Sequence, residues 1–145
     1  MRHWLPVAVA LFACTFVAGC GPAGIKTVPV KGKITYQGGD WPAECIADFA
    51  CEKTAEGFSM HPASAKIAKD GSFTAVTENV GNGLVPGTYV VNLTCWEVPP
   101  QMENPAAAKS YLPPKALAGG AVAGMRIEVK PDDKGPIIFN YDVKE

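Results

Sequence analysis

Five cysteines and two histidines are the residues of this chain best equipped for chemistry, and their spacing limits what they can do. Cys14 and Cys20 lie near the start, while Cys45, Cys51 and Cys95 lie in the body with His61 among them. None of these forms a Cys-x-x-Cys pair or a close Cys/His cluster, so neither a metal nor another cofactor is expected. Cys45 and Cys51 fall in one alternating segment. As residues of one strand they stand about 20 Å apart at ~3.3 Å per residue, beyond disulfide reach. His61 sits in Ser59-Met60-His61-Pro62 and reads as an exposed loop histidine, because hydrolytic catalysis needs a base, an orienter and a nucleophile brought together. No catalytic residue is assigned, and the chain is not expected to be an enzyme. Trp41 and Trp96 are the candidates for ligand contact, as a stacking platform for carbohydrate, with packing under a loop as the alternative for Trp96. Asp132-Asp133 reads as turn chemistry, since calcium wants several oxygen ligands in an organised loop.

The first residues set the compartment. Met1-Arg2-His3 precedes an uncharged apolar run from Trp4 to Val17, which small residues and a Gly-Pro break end before a membrane-spanning length is reached. That is the anatomy of a helical signal segment. Its ending, Val17-Ala18-Gly19-Cys20, resembles the bacterial lipobox, which implies cleavage before Cys20 and lipidation of its thiol. Each buried methylene of an acyl chain contributes about 0.8 kcal/mol, so several chains hold a protein stably to a bilayer. The expected division is therefore a signal peptide over 1–19, a lipidated tether over 20–27 and a domain over 28–145. Of 145 residues, loss of 19 leaves 126, and loss of Arg2 takes the formal charge from -1 to -2. Gly21 in place of Asp after the lipidated cysteine implies the outer membrane over the inner. Three cysteines then face an oxidising compartment, which predicts one disulfide and one spare thiol.

The elements that must position these residues are strands. The chain is 48% hydrophobic and 19% charged with 15 Gly and 13 Pro, which describes a folded chain with frequent turns and excludes disordered and collagen-like classes. It has no Lys/Arg run, so nucleic acid is not an expected partner. Val28, Val30, Gly32, Ile34 and Tyr36 alternate with polar residues, as do Cys45, Ala47, Phe49 and Cys51. Further strands are expected around Ala65–Ala68 and Ser72–Val76, with Asp70-Gly71 as a hairpin turn between them. Tyr89, Val91, Leu93 and Cys95 then point inward, followed by Met125–Val129 and Ile137–Val143. Seven short strands predict an all-β, antiparallel two-sheet sandwich of Ig-like kind. The segment Glu97 to Gly124 is rich in Pro and Gly, and Tyr111 and Leu112 are expected to fold it over a sheet edge.

Val30-Lys31-Gly32-Lys33-Ile34-Thr35-Tyr36, Asp70-Gly71-Ser72-Phe73, Val85-Pro86-Gly87-Thr88-Tyr89-Val90-Val91, Tyr111-Leu112-Pro113-Pro114-Lys115 and a final strand hairpin follow one another in a familiar order. In that order the chain resembles small lipoproteins of planctomycete-type bacteria that carry a carboxypeptidase-regulatory-like, transthyretin-like β-sandwich. The resemblance spans Val28 to Val143 and implies fold and address, without an activity. It departs at Ala116-Leu117-Ala118-Gly119-Gly120 and in the inserted cysteines. In such folds the second and fifth strands are antiparallel neighbours, and the register that sets Cys45 opposite Cys95 also sets Ala47 by Leu93, Phe49 by Val91 and Cys51 by Tyr89. A Cys45–Cys95 disulfide with Cys51 as a buried free thiol is the expectation, and Cys51–Cys95 is the alternative. The function implied is a non-enzymatic, bilayer-anchored module of the cell envelope that meets another envelope protein or, alternatively, a glycan.

Overall fold

A computed structural model describes residues 24–113 and 125–144, and over them the chain is all-β. Cys20 and the signal segment lie outside the described residues, as does the departure at 116–120. The strands are β1 (Val30–Tyr36), β2 (Cys45–Thr54), β3 (Ala63–Ile67), β4 (Ser72–Thr74), β5 (Val76–Thr77), β6 (Gly81–Asn82), β7 (Gly87–Thr94), β8 (Trp96–Val98), β9 (Lys109–Ser110), β10 (Arg126–Val129) and β11 (Ile137–Val143). They form a three-stranded sheet in the order β11-β1-β4, a six-stranded sheet in the order β10-β7-β2-β3-β5-β6, and the small pair β8-β9.

Alternation along each strand decides its buried face. Cys45, Ala47 and Phe49 of β2 are buried while Ile46, Asp48 and Ala50 are exposed, and Tyr89, Val91 and Leu93 of β7 are buried in the same phase. β2 and β7 pair antiparallel with Ala47 opposite Leu93, Phe49 opposite Val91 and Cys51 opposite Tyr89. This is the expected register. It follows because a slip of one residue would turn every apolar side chain of one strand to solvent. A single hydrophobic cluster takes Val30, Ile34, Phe73 and Val143 from the smaller sheet and Phe49, Ile67, Val91, Ile127 and Val129 from the larger. Removing one such side chain from water is worth about 1.5–3 kcal/mol.

Three expectations are corrected. The sheets are not wholly antiparallel, because β1 and β11 pair in parallel from Val30 opposite Ile137 to Tyr36 opposite Val143. Alternation determines the face a side chain takes and carries no information on the direction of the neighbouring strand. Nor do Met125–Val129 and Ile137–Val143 form a hairpin: β10 pairs with β7 in the larger sheet and β11 with β1 in the smaller. Asp70-Gly71 likewise joins strands of different sheets, since β3 pairs with β2 and β5 whereas β4 pairs with β1. At this corner Gly71 has φ +86°, and a Cβ there would lie 2.4 Å from the Ile34 carbonyl oxygen. The Asp70 carboxylate accepts from the Ser72 N–H at 3.0 Å and the Ser72 hydroxyl at 2.7 Å, which closes the turn locally.

The segment expected to be one strand over Ser72–Val76 changes sheet at Ala75, which is fully buried and donates its N–H to the Val30 carbonyl. From the long segment after Cys95 come β8, β9 and a single 3-10 turn at Pro105–Ala107. Leu112 is buried in the core, and Tyr111 packs against it.

Candidate functional site

The residues with chemical potential distribute over three places. At the first, Cys45 and Cys95 form a disulfide across the start of β2 and the end of β7, with their Cα atoms 4.5 Å apart and 50 residues between them in sequence. That separation is the one found between directly opposed residues of a non-hydrogen-bonded antiparallel pair. While the bond is intact neither sulfur is a thiolate ligand for a metal.

At the second, Cys51 is the free thiol, and it is half-buried where full burial was expected. The difference arises at its edge of β2: the β3 ladder ends at Phe49 opposite Ala63, so β2 runs on with that flank open. A groove of about 590 Å3 lies there, lined by Asp48, Cys51, Met60 and His61 among others. The register with β7 shifts between Cys51 and Lys53, and the exposed Glu52 at this bulge pairs with Arg126 at 3.0 Å. Partial burial pushes the Cys51 thiol up from its ordinary range, against smaller opposing contributions from the Lys53 backbone and the Tyr89 hydroxyl. Tyr89 is pushed up to about 12 by burial and by the neighbouring Cys51, and its hydroxyl donates to the Val85 carbonyl at 2.7 Å. His61 is half-buried in the groove wall, where an exposed loop histidine was expected, and its Nε2 is enclosed with no hydrogen-bond partner among the described residues. No group of three or more His, Cys, Asp or Glu side chains able to hold a metal occurs among those residues.

At the third, the outer face of the smaller sheet carries Lys33 and Thr35 beside Asn140 and Asp142, around a shallow depression of about 450 Å3. The parallel register sets Lys33 opposite Asn140 and Thr35 opposite Asp142. The Asn140 side chain accepts from the Lys33 N–H at 2.9 Å, and Asp142 accepts from the Gly38 N–H at 2.7 Å and the Thr35 hydroxyl at 2.8 Å. Those two donors hold the Asp142 carboxyl below the ordinary carboxylate range, the Gly38 amide foremost. The polar groups here bind one another and cap the sheet.

The tryptophans separate. Trp41 is 2% exposed, and its Nε1 donates to the Ile34 carbonyl at 2.6 Å while its ring packs on Tyr36. Its expected role in ligand contact is therefore corrected: the ring is a core element whose polar end is already satisfied. Trp96 is 37% exposed on β8 and is the one tryptophan of the two that a ligand can reach. Asp133 accepts from the Lys130 N–H at 2.8 Å, closing the turn ahead of β11.

The enclosed His61 Nε2 and the open flank of β2 escaped sequence reading, because nothing in the alternation marks where β3 stops. Of the outer-face cluster only the polar phase of each strand was visible in the sequence; that β1 and β11 lie side by side was not. Comparison of the chain with protein-family models, curated proteins and solved structures finds no match in any of the three.

Proposed function

We propose that this chain is a lipid-anchored protein of a bacterial cell envelope, a non-enzymatic module that serves structure or protein interaction. The observation that carries the reading is the run Val17-Ala18-Gly19-Cys20 after an apolar, uncharged segment, which resembles a lipobox. The cross-strand disulfide supports it, since such bonds persist in oxidising compartments outside the cytosol. In this reading the two larger sheets are the layers of a carboxypeptidase-regulatory-like, transthyretin-like sandwich held near the bilayer by acylated Cys20, on the outer membrane, behind a helical signal. Of its two candidate tryptophans, the glycan-binding alternative keeps Trp96 as an accessible ring.

Fractionation tests the anchor. Cys20→Ala should move the protein from the membrane pellet to the soluble fraction and abolish labelling by a radiolabelled fatty acid. Unchanged partitioning with unchanged labelling would overturn the lipoprotein reading.

A further inference from the structure

The open edges of the two larger sheets differ in how well they are protected. β6 has two residues, β4 three, and β10 four that include Arg126 and Glu128 and run into Lys130-Pro131. Short length, charge and proline all discourage a further strand. β11 is the least protected of these edges by length, with one charge, Asp142, near its end and Pro136 just before its start. It is seven residues long with the sequence Ile-Ile-Phe-Asn-Tyr-Asp-Val, it pairs with β1 without a register shift, and it is the terminal strand of its sheet among the described residues. Its Ile138 is 58% exposed.

The direction of its main-chain groups is also determined. Ile137 donates its N–H to the Pro29 carbonyl, and the Val143 carbonyl accepts from the Gln37 N–H, so residues 137, 139, 141 and 143 address β1. By alternation, the N–H and C=O groups of Ile138, Asn140 and Asp142 face away from β1, toward the open edge.

We infer that β11 is a homodimer interface, adding antiparallel to β11 of a second copy about a two-fold axis through Asn140. The register follows from the groups on offer. Only with Asn140 on the axis do all three outward residues of both copies find outward partners, Ile138 against Asp142 twice and Asn140 against Asn140, for about six main-chain hydrogen bonds. The same register places Phe139 beside Tyr141 of the second copy, extending the aromatic row in which those two rings stack at 6.4 Å within one chain. It also separates the charges. The two Asp142 residues come to lie about 14 Å apart along the strands, beyond the ~8 Å screening length of physiological salt, whereas a register centred on Asp142 would oppose them directly. A second copy therefore fits this edge in chemistry as well as in shape.

The test exploits the pairing of Ile138 with Asp142. In Ile138→Asp each new carboxylate faces Asp142 of the other copy, and in Ile138→Lys each new ammonium does. Both substitutions stand at an exposed position and remove the same side chain. Sedimentation equilibrium of the purified full chain in a mild detergent should show a dimer for the parent protein. Ile138→Asp should weaken it by about tenfold, while Ile138→Lys should hold it as tightly or more tightly. Circular dichroism should show both variants folded. A parent chain that sediments as a monomer throughout, or two variants that weaken the dimer equally, would overturn the inference, the first outcome leaving the edge to a strand of some other protein.

Discussion

Asp142 shows how much one half-buried carboxylate can be committed to. Its oxygen takes the Gly38 N–H and the Thr35 hydroxyl, tying the turn after β1 to the end of β11, and these donors lower its pKa from the ordinary value of 3.8. A carboxyl whose folded pKa is depressed contributes stability that is present above the unfolded pKa and lost as the pH falls through the folded one. Asp142→Ala should therefore melt at a lower temperature than the parent near pH 7, and the gap should narrow as the pH of both is lowered past the ordinary carboxylate value of 3.8. A gap that stays constant across thermal melts in that series would show that the charge is not what matters. Gly32 makes a second residue-scale case. A Cβ there would stand 1.9 Å from the Phe139 carbonyl oxygen, closer than any rotamer can relieve. Gly32→Ala should cost ~2–3 kcal/mol in urea unfolding as β1 and β11 are forced apart. Gly39→Ala is the control: the nearest atom there is 3.8 Å away, and the change should stay within ~0.5 kcal/mol.

At the scale of elements, the disulfide joins β2 and β7, which already share a long register in the middle of the larger sheet. Its contribution comes mostly from restricting the unfolded chain, about 4 kcal/mol for a loop of this size in the chain-entropy model. Replacing Cys45 and Cys95 together by Ala should lower unfolding stability by that order, and non-reducing peptide mapping of the parent should find Cys51 unlinked. The resemblance implied that these two strands are antiparallel neighbours; given that, the parity of their buried residues left few alignments, and one of them opposes the two cysteines. Strand direction was not legible, and β11 beside β1 is the consequence. Nor were β5 and β6, whose two-residue ladders are too short to show any period. Trp41 was misplaced for a related reason. It lies outside any alternating run, and its burial depends on the Ile34 carbonyl, a partner that spacing cannot announce.

For the whole molecule, the sequence distinguishes what is built into the core from what is left over for use. Its apolar phases close one hydrophobic cluster drawn from both sheets, and the groups with chemical potential are largely spent on structure: two cysteines on each other, Asp142 on a turn, Trp41 on a carbonyl. Among the described residues, what remains open includes an edge strand, a half-buried thiol beside His61, and Trp96.

The parallel pairing of β1 with β11 also bears on how such a chain comes to be folded. The residues it joins are separated by 107 positions, so the first strand must wait for the last. A chain delivered N-terminus first, from the ribosome or through a membrane pore, offers β1 only β4 as a neighbour until its final residues emerge. The smaller sheet stays incomplete throughout delivery, and loop closure over so long a span slows its completion afterwards. A domain wired in this way remains threadable for as long as it is being threaded, and it locks only when the end of the chain arrives.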